Sequence, residues 1–262
     1  MGKHLMERIF SGPRFQGAWR RLHKLSLHAM NYGRGGFMDE SGEEWVLRYL
    51  AEAGRGRRPR VFFDVGAHKG EYSEGIIRVY GGDADIYCFE PAGATYDALR
   101  DRLEGRSNVR LFNVGMSDEE GSVDLYSDTL VSGRASVYRR GISEGSYNKE
   151  SIRLVTIDGF CAKEGIDRID LLKIDVEGHE LSVLKGAQGM ISSGSVSYIQ
   201  FEFSEFNMES RVFFRDFFTM LAPRYSICRI LRRGLAPIDE YNAYQEVFKT
   251  TNYLAVIREE RQ

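Results

Sequence analysis

The sequence has few cysteines and no long apolar run. Its three cysteines, Cys88, Cys161 and Cys228, are widely spaced, without a CxxC pair or histidines at metal-ligand spacing. This distribution argues against a disulfide framework and against a structural zinc site. No apolar stretch approaches the roughly 20 residues of a membrane-spanning helix, and the N-terminus lacks the apolar core of about 7–15 residues of a secretory signal. We therefore expect a cytoplasmic protein.

The sequence also lacks a large charge of either sign, because the formal net charge of its 262 residues is -2. Nucleic acid is therefore not an expected partner. The first 36 residues are the exception, with one acid, Glu7, against seven bases: Lys3, Arg8, Arg14, Arg20, Arg21, Lys24 and Arg34. Leucines and Trp19 interleave with these bases, which predicts an N-terminal helical basic segment over residues 1–40. We interpret it as a helix packed on the domain, and keep as the alternative a peripheral contact with an anionic membrane surface or a charged substrate.

From residue 61 onward, β-branched and aromatic runs alternate with stretches of helical periodicity. Strands are predicted at 61–65, 85–90, 109–114, 121–127, 151–156, 170–175 and 196–203, and helices at 72–80, 94–103, 180–191 and 212–221. This alternation predicts an α/β domain with a doubly wound, mostly parallel sheet and helices on both faces. Runs at 225–231 and 251–258 are predicted to close the sheet as a hairpin-like pair. A helix from Ser41 to Leu50 precedes the first strand, and we assign residues 41–262 to one domain.

The turn from Asp64 to Gly70 follows the first predicted strand, where ligands bind in open parallel sheets. Gly66 allows a backbone conformation closed to other residues, and Gly70 lets the next helix lie close beneath a ligand. Asp64 is expected to accept a hydrogen bond from an ammonium group or an ordered water. Glu90 ends the next strand, near the ~20-residue separation at which a carboxylate meets a ribose diol, and Pro91 fixes the backbone after it.

This turn departs from the dinucleotide fingerprint GxGxxG, because His68 stands where the second glycine would be and Glu71 where the third would be. The pattern therefore does not favour a pyrophosphate such as that of NAD. A nucleoside with a zwitterionic tail and no phosphate, as in S-adenosylmethionine, suits an acidic turn better.

A second cluster of charged residues spans 171–180. Asp175 and Glu177 follow a buried strand, and a neighbouring sulfonium cation would favour their ionised forms. His179 is either a general base or a helix-start residue that caps or packs.

Two glutamates near the next strand end, Glu202 and Glu205, are candidates for lining a substrate pocket. The phenylalanines around them are expected to belong to the core. Because Asp175, Glu177, Glu202 and Glu205 lie at adjacent strand ends, a divalent metal ion that polarises a substrate oxygen is a further possibility. A loop with Gly133, Arg134, Ala135 and Ser136 is either a substrate loop or a connector.

Five segments give the chain a specific resemblance to a known family. They are FFDVGAHKGEYS at 62–73, CFEP at 88–91, NVGMSDEEG at 113–121, VTIDGF at 155–160 and LLKIDVEGHELSVLKGA at 171–187. In order and spacing the chain resembles the FkbM family of S-adenosylmethionine-dependent methyltransferases. The resemblance implies a Rossmann-like class I methyltransferase fold with a seven-stranded sheet. It also implies transfer of a methyl group from S-adenosylmethionine to a hydroxyl oxygen of a small molecule or glycan, such as a sugar or a polyketide-like acceptor.

The resemblance also implies roles for single residues. The donor turn would be formed by Asp64, Gly66 and Gly70, with Ala67 and Tyr72 in the same segment, and Glu90 with Pro91 would bind the ribose. The loop beside the adenine would hold Gly115, Met116 and Ser117. Asp175 would face both the donor and the reaction centre, with Glu177 and His179 as neighbours. The alternative is a catalytically silent Rossmann-like binding module or partner subunit.

Overall fold

A computed structural model describes residues 10–34, 38–53, 60–129, 131–138 and 148–258. Its main sheet has eight strands in the order β10-β9-β11-β8-β7-β1-β2-β3, numbered along the chain. Five neighbouring strands, β8-β7-β1-β2-β3, are parallel, and β9, β10 and β11 add antiparallel pairs at one side. The strands are β1 (Arg60–Val65), β2 (Ala84–Phe89), β3 (Val109–Phe112), β7 (Ile169–Ile174), β8 (Val196–Phe203), β9 (Tyr225–Leu231), β10 (Gly234–Ile238) and β11 (Thr251–Ile257).

The α/β class is as predicted, but the expectation of seven strands is wrong. The additional strand is β10, which forms a hairpin with β9. The predicted pair at 225–231 and 251–258 does pair antiparallel, as β9 and β11. The sequence of β10 gives little strand signal because it begins with Gly234 and contains Pro237, a residue tolerated at the edge of a sheet.

A second, three-stranded sheet lies apart from the main one, in the order β4-β6-β5. It consists of β4 (Gly115–Met116), β5 (Gly121–Ser127) and β6 (Asn148–Val155). The predicted strands at 121–127 and 151–156 therefore pair with each other. This small sheet leads into the loop of residues 131–138, whose Ser136 makes a bridge with Tyr126.

Three of the helices precede β1, and the others lie between strands along the chain. The helices are α1 (Gln16–Ala29), α2 (Met38–Ser41), α3 (Glu43–Ala53), α4 (Glu71–Tyr80), α5 (Gly93–Leu103), α6 (Ile157–Glu164), α7 (Glu180–Lys185), α8 (Gln188–Ser192) and α9 (Phe214–Leu221). The single helix predicted over 180–191 is divided into α7 and α8. At the break, a Cβ on Gly186 would lie 1.9 Å from the carbonyl oxygen of Ser117, so the two backbones touch.

The main sheet is buried on both faces, as expected for a doubly wound fold. One face packs Phe62 and Leu171 against Leu47 of α3 and Ile76 of α4. The other packs Phe63, Leu172 and Ile199 with the aromatic side chains around α9. The expectation that the phenylalanines belong to the core is confirmed for Phe201, Phe203, Phe214 and Phe217, which are fully buried, but not for Phe213, which is exposed.

The basic helix α1 does not pack on the domain as interpreted, since none of its residues is buried. Trp19, Leu22 and Leu25 are exposed. The helix is joined to the domain at its C-terminal end, where Asn31 and Tyr32 are buried. Within the described parts of the chain, no helix has the length and apolar character to cross a membrane.

Candidate active site

A central cavity of about 1010 Å³ opens at the carboxyl ends of β1, β2, β7 and β8. This is the upper end of the ~300–1,000 Å³ range of ligand pockets, so it has room for two small molecules side by side. Of the predicted site residues it is lined by Gly66, Ala67, Tyr72, Glu90, Pro91, Gly115, Met116, Asp175, Glu177, His179, Glu202 and Glu205. Three predicted residues, Asp64, Gly70 and Ser117, are not among those that line it.

The turn after β1 is shaped by close backbone contacts. Gly66 has φ +76°, and a Cβ there would lie 1.8 Å from the carbonyl oxygen of Asp175. The backbone N–H groups of Gly66 and Ala67 both donate to the carbonyl of Phe89 at 3.0 Å. Only glycine fits at position 66, because any side chain would push β1 away from the segment after β7. This turn brings the ends of β1, β2 and β7 to one wall of the cavity.

Asp64 lies beneath this wall and is not among the residues that line the cavity. Its side chain is fully buried; Oδ2 accepts a 2.7 Å hydrogen bond from Ser73 and Oδ1 lies 3.2 Å from Nζ of Lys173. Asp64, which was expected to accept from an ammonium group or an ordered water, thus lies beside an ammonium group. The ammonium that it binds belongs to the protein.

Lys173 is a site residue that the sequence reasoning did not single out. Its Nζ donates to the carbonyl of Gly66 at 3.2 Å, and lies 3.6 Å from Oδ2 of Asp175 and 5.4 Å from the centre of the Tyr72 ring. Burial alone would lower the pKa of Lys173, but Asp64, Asp175 and Glu43 outweigh burial and raise it above its usual range. Lys173 is therefore a permanent cation that ties β1 to the end of β7. In the sequence, the only indication of this role is that a lysine stands within the otherwise apolar run Leu171–Ile174.

Glu90 faces the cavity at the end of β2. Its Oε2 accepts from the backbone N–H of His68 and its Oε1 from that of Ala92, each at 3.0 Å. The side chain is nearly buried, and burial raises the pKa of Glu90 to about 7. Two backbone donors hold the carboxylate in one orientation, and each oxygen keeps a lone pair for a ligand hydroxyl.

A buried polar chain supports Tyr72 from behind. The Tyr72 hydroxyl donates to Oε1 of Gln200 at 3.0 Å, and Nε2 of Gln200 donates to Oε1 of Glu43 at 2.8 Å. Burial raises the pKa of Glu43 to about 7, although Lys173 lowers it in part. Glu43 of α3 is thus linked to Tyr72 by hydrogen bonds through Gln200. The spacing of these three residues in the sequence does not indicate this link.

Asp175 and Glu177 follow β7, which β1 separates from β2 and Glu90. The Asp175 side chain is 36% exposed and points to Lys173, while its backbone N–H donates to the carbonyl of Val65. Glu177 has φ +54°, a conformation uncommon for a residue with a side chain. The segment is held in place by Glu180, whose Oε1 accepts from the backbone N–H groups of Val176 and Gly178.

His179 has both ring nitrogens in hydrogen bonds with the protein. Nε2 lies 2.9 Å from the Ser117 hydroxyl and Nδ1 lies 3.1 Å from the Tyr138 hydroxyl. Because Ser117 donates its proton to Asp118 at 2.9 Å, we assign the proton of His179 to Nε2, so that Nδ1 accepts from Tyr138. Burial lowers the pKa of His179, which keeps the ring neutral near pH 7. His179 therefore links the loop of residues 131–138 to β4.

That loop and two glutamates, Glu202 and Glu205, complete the lining of the cavity. Ser132, Gly133, Arg134, Ala135 and Val137 line it, and the guanidinium of Arg134 lies 5.5 Å from the centre of the Phe206 ring. Ser136 donates to the backbone carbonyl of Glu177 at 2.8 Å. Glu202 is buried there, and burial together with Asp175 and Glu177 raises its pKa well above its usual range.

The four acidic residues proposed above as metal ligands do not converge. Among the described residues, no group of three or more histidine, cysteine, aspartate or glutamate side chains is arranged to hold a metal ion. The possible divalent ion therefore gains no support from these side chains.

The doubly wound sheet, the glycine turn after β1 and the carboxylate at the end of β2 are together the features of a Rossmann-like fold. The chain belongs to the FkbM methyltransferase family. Residues 64–227 match the family model described as the methyltransferase FkbM domain. The family inferred from the sequence is thereby confirmed.

Three relatives are similar to this chain over part of their length. The 2-O-methyltransferase NoeI of Sinorhizobium fredii is 24% identical over 55% of this chain and 64% of its own. The hexuronic acid methyltransferase AglP of Haloferax volcanii is 28% identical over 59% and 60%. The 31-O-demethyl-FK506 methyltransferase FkbM of Streptomyces tacrolimicus is 30% identical over 53% and 64%. The chain thus spans about three fifths of the length of the curated relatives it matches.

Among solved structures, an Aeropyrum pernix fibrillarin with natively bound S-adenosylmethionine aligns with 81% of this chain and 76% of its own. The identity is 14% and the TM-score 0.42. A putative O-methyltransferase from Klebsiella pneumoniae aligns with 88% and 86%, at 12% identity and a TM-score of 0.45.

Proposed function

We propose that this protein is an O-methyltransferase that uses S-adenosylmethionine to methylate a hydroxyl group of a small molecule or glycan, such as a sugar or a polyketide-like compound. The observation that supports this proposal is a single cavity that crosses the ends of four adjacent strands, β2, β1, β7 and β8. In this row, Glu90 and the turn at Gly66 and Ala67 follow β2 and β1 at one end, Glu202 and Glu205 lie on and just after β8 at the other, and Asp175 follows β7 between them. Three relatives named as methyltransferases support the same class, one of them named for hexuronic acid and one for 31-O-demethyl-FK506.

At the donor end, the residues suit a nucleoside. The Glu90 carboxylate, held by two backbone N–H groups, would accept both ribose hydroxyls, with Pro91, Gly115 and Met116 along the adenine. The backbone at Gly66 and Ala67 approaches without side-chain bulk, and Tyr72 lies beside it. Asp64, Gly70 and Ser117 would act from behind this surface, by holding Lys173, α4 and His179.

S-adenosylmethionine supplies an activated methyl group, so the protein must orient the acceptor and remove one proton. The acceptor oxygen forms a bond to the methyl carbon, the S–CH3 bond breaks, and the hydroxyl proton passes to a base. Asp175 is the favoured base because its carboxylate is partly exposed in the cavity and is directed by Lys173, 3.6 Å from its Oδ2. His179 is less suited, since both of its ring nitrogens are engaged by Ser117 and Tyr138.

At the acceptor end, Glu202, Glu205 and Glu177 offer carboxyl groups to a polyhydroxylated ligand. Burial raises the pKa of Glu202 and so favours its protonated form, which donates one hydrogen bond and accepts another, whereas a carboxylate only accepts. Sugars and polyketide alcohols present both donors and acceptors, which matches this mixture.

Calorimetry with S-adenosylmethionine tests the donor site. Wild-type protein should bind, and Glu90→Ala should weaken binding by about tenfold or more, because a buried carboxylate that makes two hydrogen bonds is lost. Glu164→Ala, at an exposed glutamate on α6 that does not line the cavity, is the matched control. Equal affinity of the Glu90 and Glu164 variants would overturn the donor site.

Turnover of the donor against a panel of sugars, nucleotide sugars and polyketide alcohols tests the acceptor class. Formation of S-adenosylhomocysteine with a methylated product is the expected result. Donor binding without turnover on any of these compounds would instead favour a binding module.

A further inference from the structure

Helix α1 exposes an apolar face that no part of the described chain covers. Trp19 is 44% exposed, Leu22 53% and Leu25 66%. Together with Ala18 and Ala29 these residues recur at helical spacing and form one face of the helix. An exposed face of this kind is unusual on a monomeric protein and marks an interaction surface.

The helix is fixed to the domain at its C-terminal end. Nδ2 of Asn31 donates to the carbonyls of Ser41 and Ile230, at 2.9 and 3.2 Å. The Tyr32 hydroxyl accepts a 2.7 Å hydrogen bond from Arg229, and the backbone N–H of Gly33 donates to the carbonyl of Thr250. The exposed face therefore belongs to a helix that is anchored on the folded domain.

Aromatic side chains extend this face at the other end of the helix. Phe10 is 36% exposed and packs edge-on against Phe15 and Trp19, with ring centroids 5.2 and 6.5 Å apart. The indole N–H of Trp19 donates to the carbonyl of Phe10 at 2.7 Å. Tryptophan and phenylalanine at the edge of an amphipathic helix are typical of segments that enter the boundary between lipid headgroups and acyl chains.

The charge around the apolar face is of one sign. Residues 10–34 contain no aspartate or glutamate, and their bases are Arg14, Arg20, Arg21, Lys24 and Arg34. By helical spacing, Arg20 and Lys24 lie on the side of α1 opposite Leu22, while Arg21, four residues before Leu25, lies at the edge of the apolar face. A second copy of this chain would bring a like-charged helix against the first, which disfavours self-association through α1. The complementary partner is apolar inside and negative at its surface.

We propose that α1 docks this protein on an anionic lipid bilayer. The helix lies in the plane of the interface, with Phe10, Trp19, Leu22 and Leu25 below the headgroups and Arg20, Arg21 and Lys24 beside the lipid phosphates. Gly33, just beyond the helix, lines the central cavity, so docking brings the cavity close to the bilayer. The docking itself does not depend on the proposed methyl transfer.

Vesicle binding of the full chain tests this surface. Vesicles of phosphatidylcholine, with and without phosphatidylglycerol, are mixed with the wild type and with Leu22→Glu/Leu25→Glu. The matched control is Lys163→Gln/Lys185→Gln, which changes the net charge equally at exposed lysines on α6 and α7. We expect the wild type and the control to sediment with the anionic vesicles, more weakly at high salt, and the leucine variant to partition about tenfold or more weakly.

Fluorescence gives a second readout. The Trp45→Phe variant leaves Trp19 as the single tryptophan. Its emission should shift to shorter wavelength with anionic vesicles and not with neutral ones. The folding of each variant is checked by its thermal transition, and S-adenosylmethionine binding, which should be unchanged in the leucine variant, separates docking from the donor site.

Three results would overturn the proposal: no binding of the wild type to anionic vesicles, equal binding of the leucine variant, or an unshifted Trp19 emission. A wild-type dimer that Leu22→Glu/Leu25→Glu converts to a monomer, without vesicle binding, would assign the face to a second copy instead.

Discussion

Nζ of Lys173 lies 3.2 Å from Oδ1 of Asp64, and both side chains are almost completely buried. Removing one member of such a pair leaves an uncompensated buried charge, which costs about 3–5 kcal/mol. Lys173→Met should therefore lower the free energy of unfolding by about that amount, measured by urea denaturation without ligand. Lys173→Met/Asp64→Asn should recover part of the loss, because a neutral amide then replaces the buried, unpaired carboxylate.

Lys163→Met is the control for this pair, since Lys163 is exposed on α6. A Lys173→Met protein as stable as the Lys163→Met protein would contradict a stabilising role of the ion pair.

Local sequence predicts the parts of the site that depend on one segment. Gly66 and Glu90 lie at the ends of two adjacent strands and line the cavity, as their positions after apolar runs indicated. For Asp64, the sequence could not identify the ammonium that it meets, because Lys173 is more than a hundred residues away along the chain. The hydrogen bonds of His179 to Ser117 and Tyr138 depend in the same way on where β4 and the loop of residues 131–138 fold. No spacing within one segment carries that information.

The N-terminal helix illustrates a related limit. Its amphipathic pattern was visible from Trp19, Leu22 and the interleaved bases, but pattern alone does not say what covers the apolar side. Strand β10 was missed because Gly234 and Pro237 weaken the strand signal, and only its pairing with β9 makes it a strand. Periodicity thus predicted most of the helices and strands, whereas the structure alone shows which strands pair and what each helix face contacts.

The second prediction concerns the shape of the donor turn. Gly66→Ala places a Cβ 1.8 Å from the carbonyl of Asp175 at φ +76°, so the variant should lose about 3 kcal/mol or more of unfolding free energy. Gly105→Ala is the matched control, because Gly105 has φ +82° but nothing within 4 Å of its added Cβ. It should lose only about 1 kcal/mol, from backbone strain.

Denaturation curves of both variants provide the measurement. Similar losses of unfolding free energy in the two variants would mean that backbone strain alone accounts for the loss. The contact between the turn and the end of β7 would then not be tight.

The third prediction is a pH dependence of stability from Glu43. Burial raises its pKa from 4.5 to about 7, so between these values the folded protein holds a proton that the unfolded chain has released. The contribution of Glu43 to stability is therefore fully present below about pH 4.5 and is lost as the pH rises to about 7. Glu43→Gln removes this titration and should reduce the fall in unfolding free energy across the window by about 2–3 kcal/mol.

Urea denaturation at several pH values across the window tests this. Glu44→Gln is the control, because Glu44 is the neighbouring residue but makes its hydrogen bond with Arg48 near the surface. An identical pH profile for the wild type and Glu43→Gln would contradict the raised pKa of Glu43.

The fourth prediction separates Asp175 from His179 and presupposes an acceptor found by the turnover panel. If Asp175 takes the acceptor proton, Asp175→Asn should lower kcat by about 10²–10⁴-fold. His179→Ala should instead raise the KM for the acceptor and change kcat by less than about tenfold, because it only frees the loop of residues 131–138 from β4. Donor affinity, measured by calorimetry, should be unchanged in His179→Ala.

Tyr138→Phe provides the decisive comparison, since it removes only the hydroxyl that bonds Nδ1 of His179. It should raise the acceptor KM as His179→Ala does, and the double variant should add little, because both changes break the same link. If His179 were the base, its removal would lower kcat as strongly as Asp175→Asn and would abolish the acid limb of the pH profile, while Tyr138→Phe would leave most of kcat. That outcome would assign the proton to His179 and leave Asp175 as its neighbour.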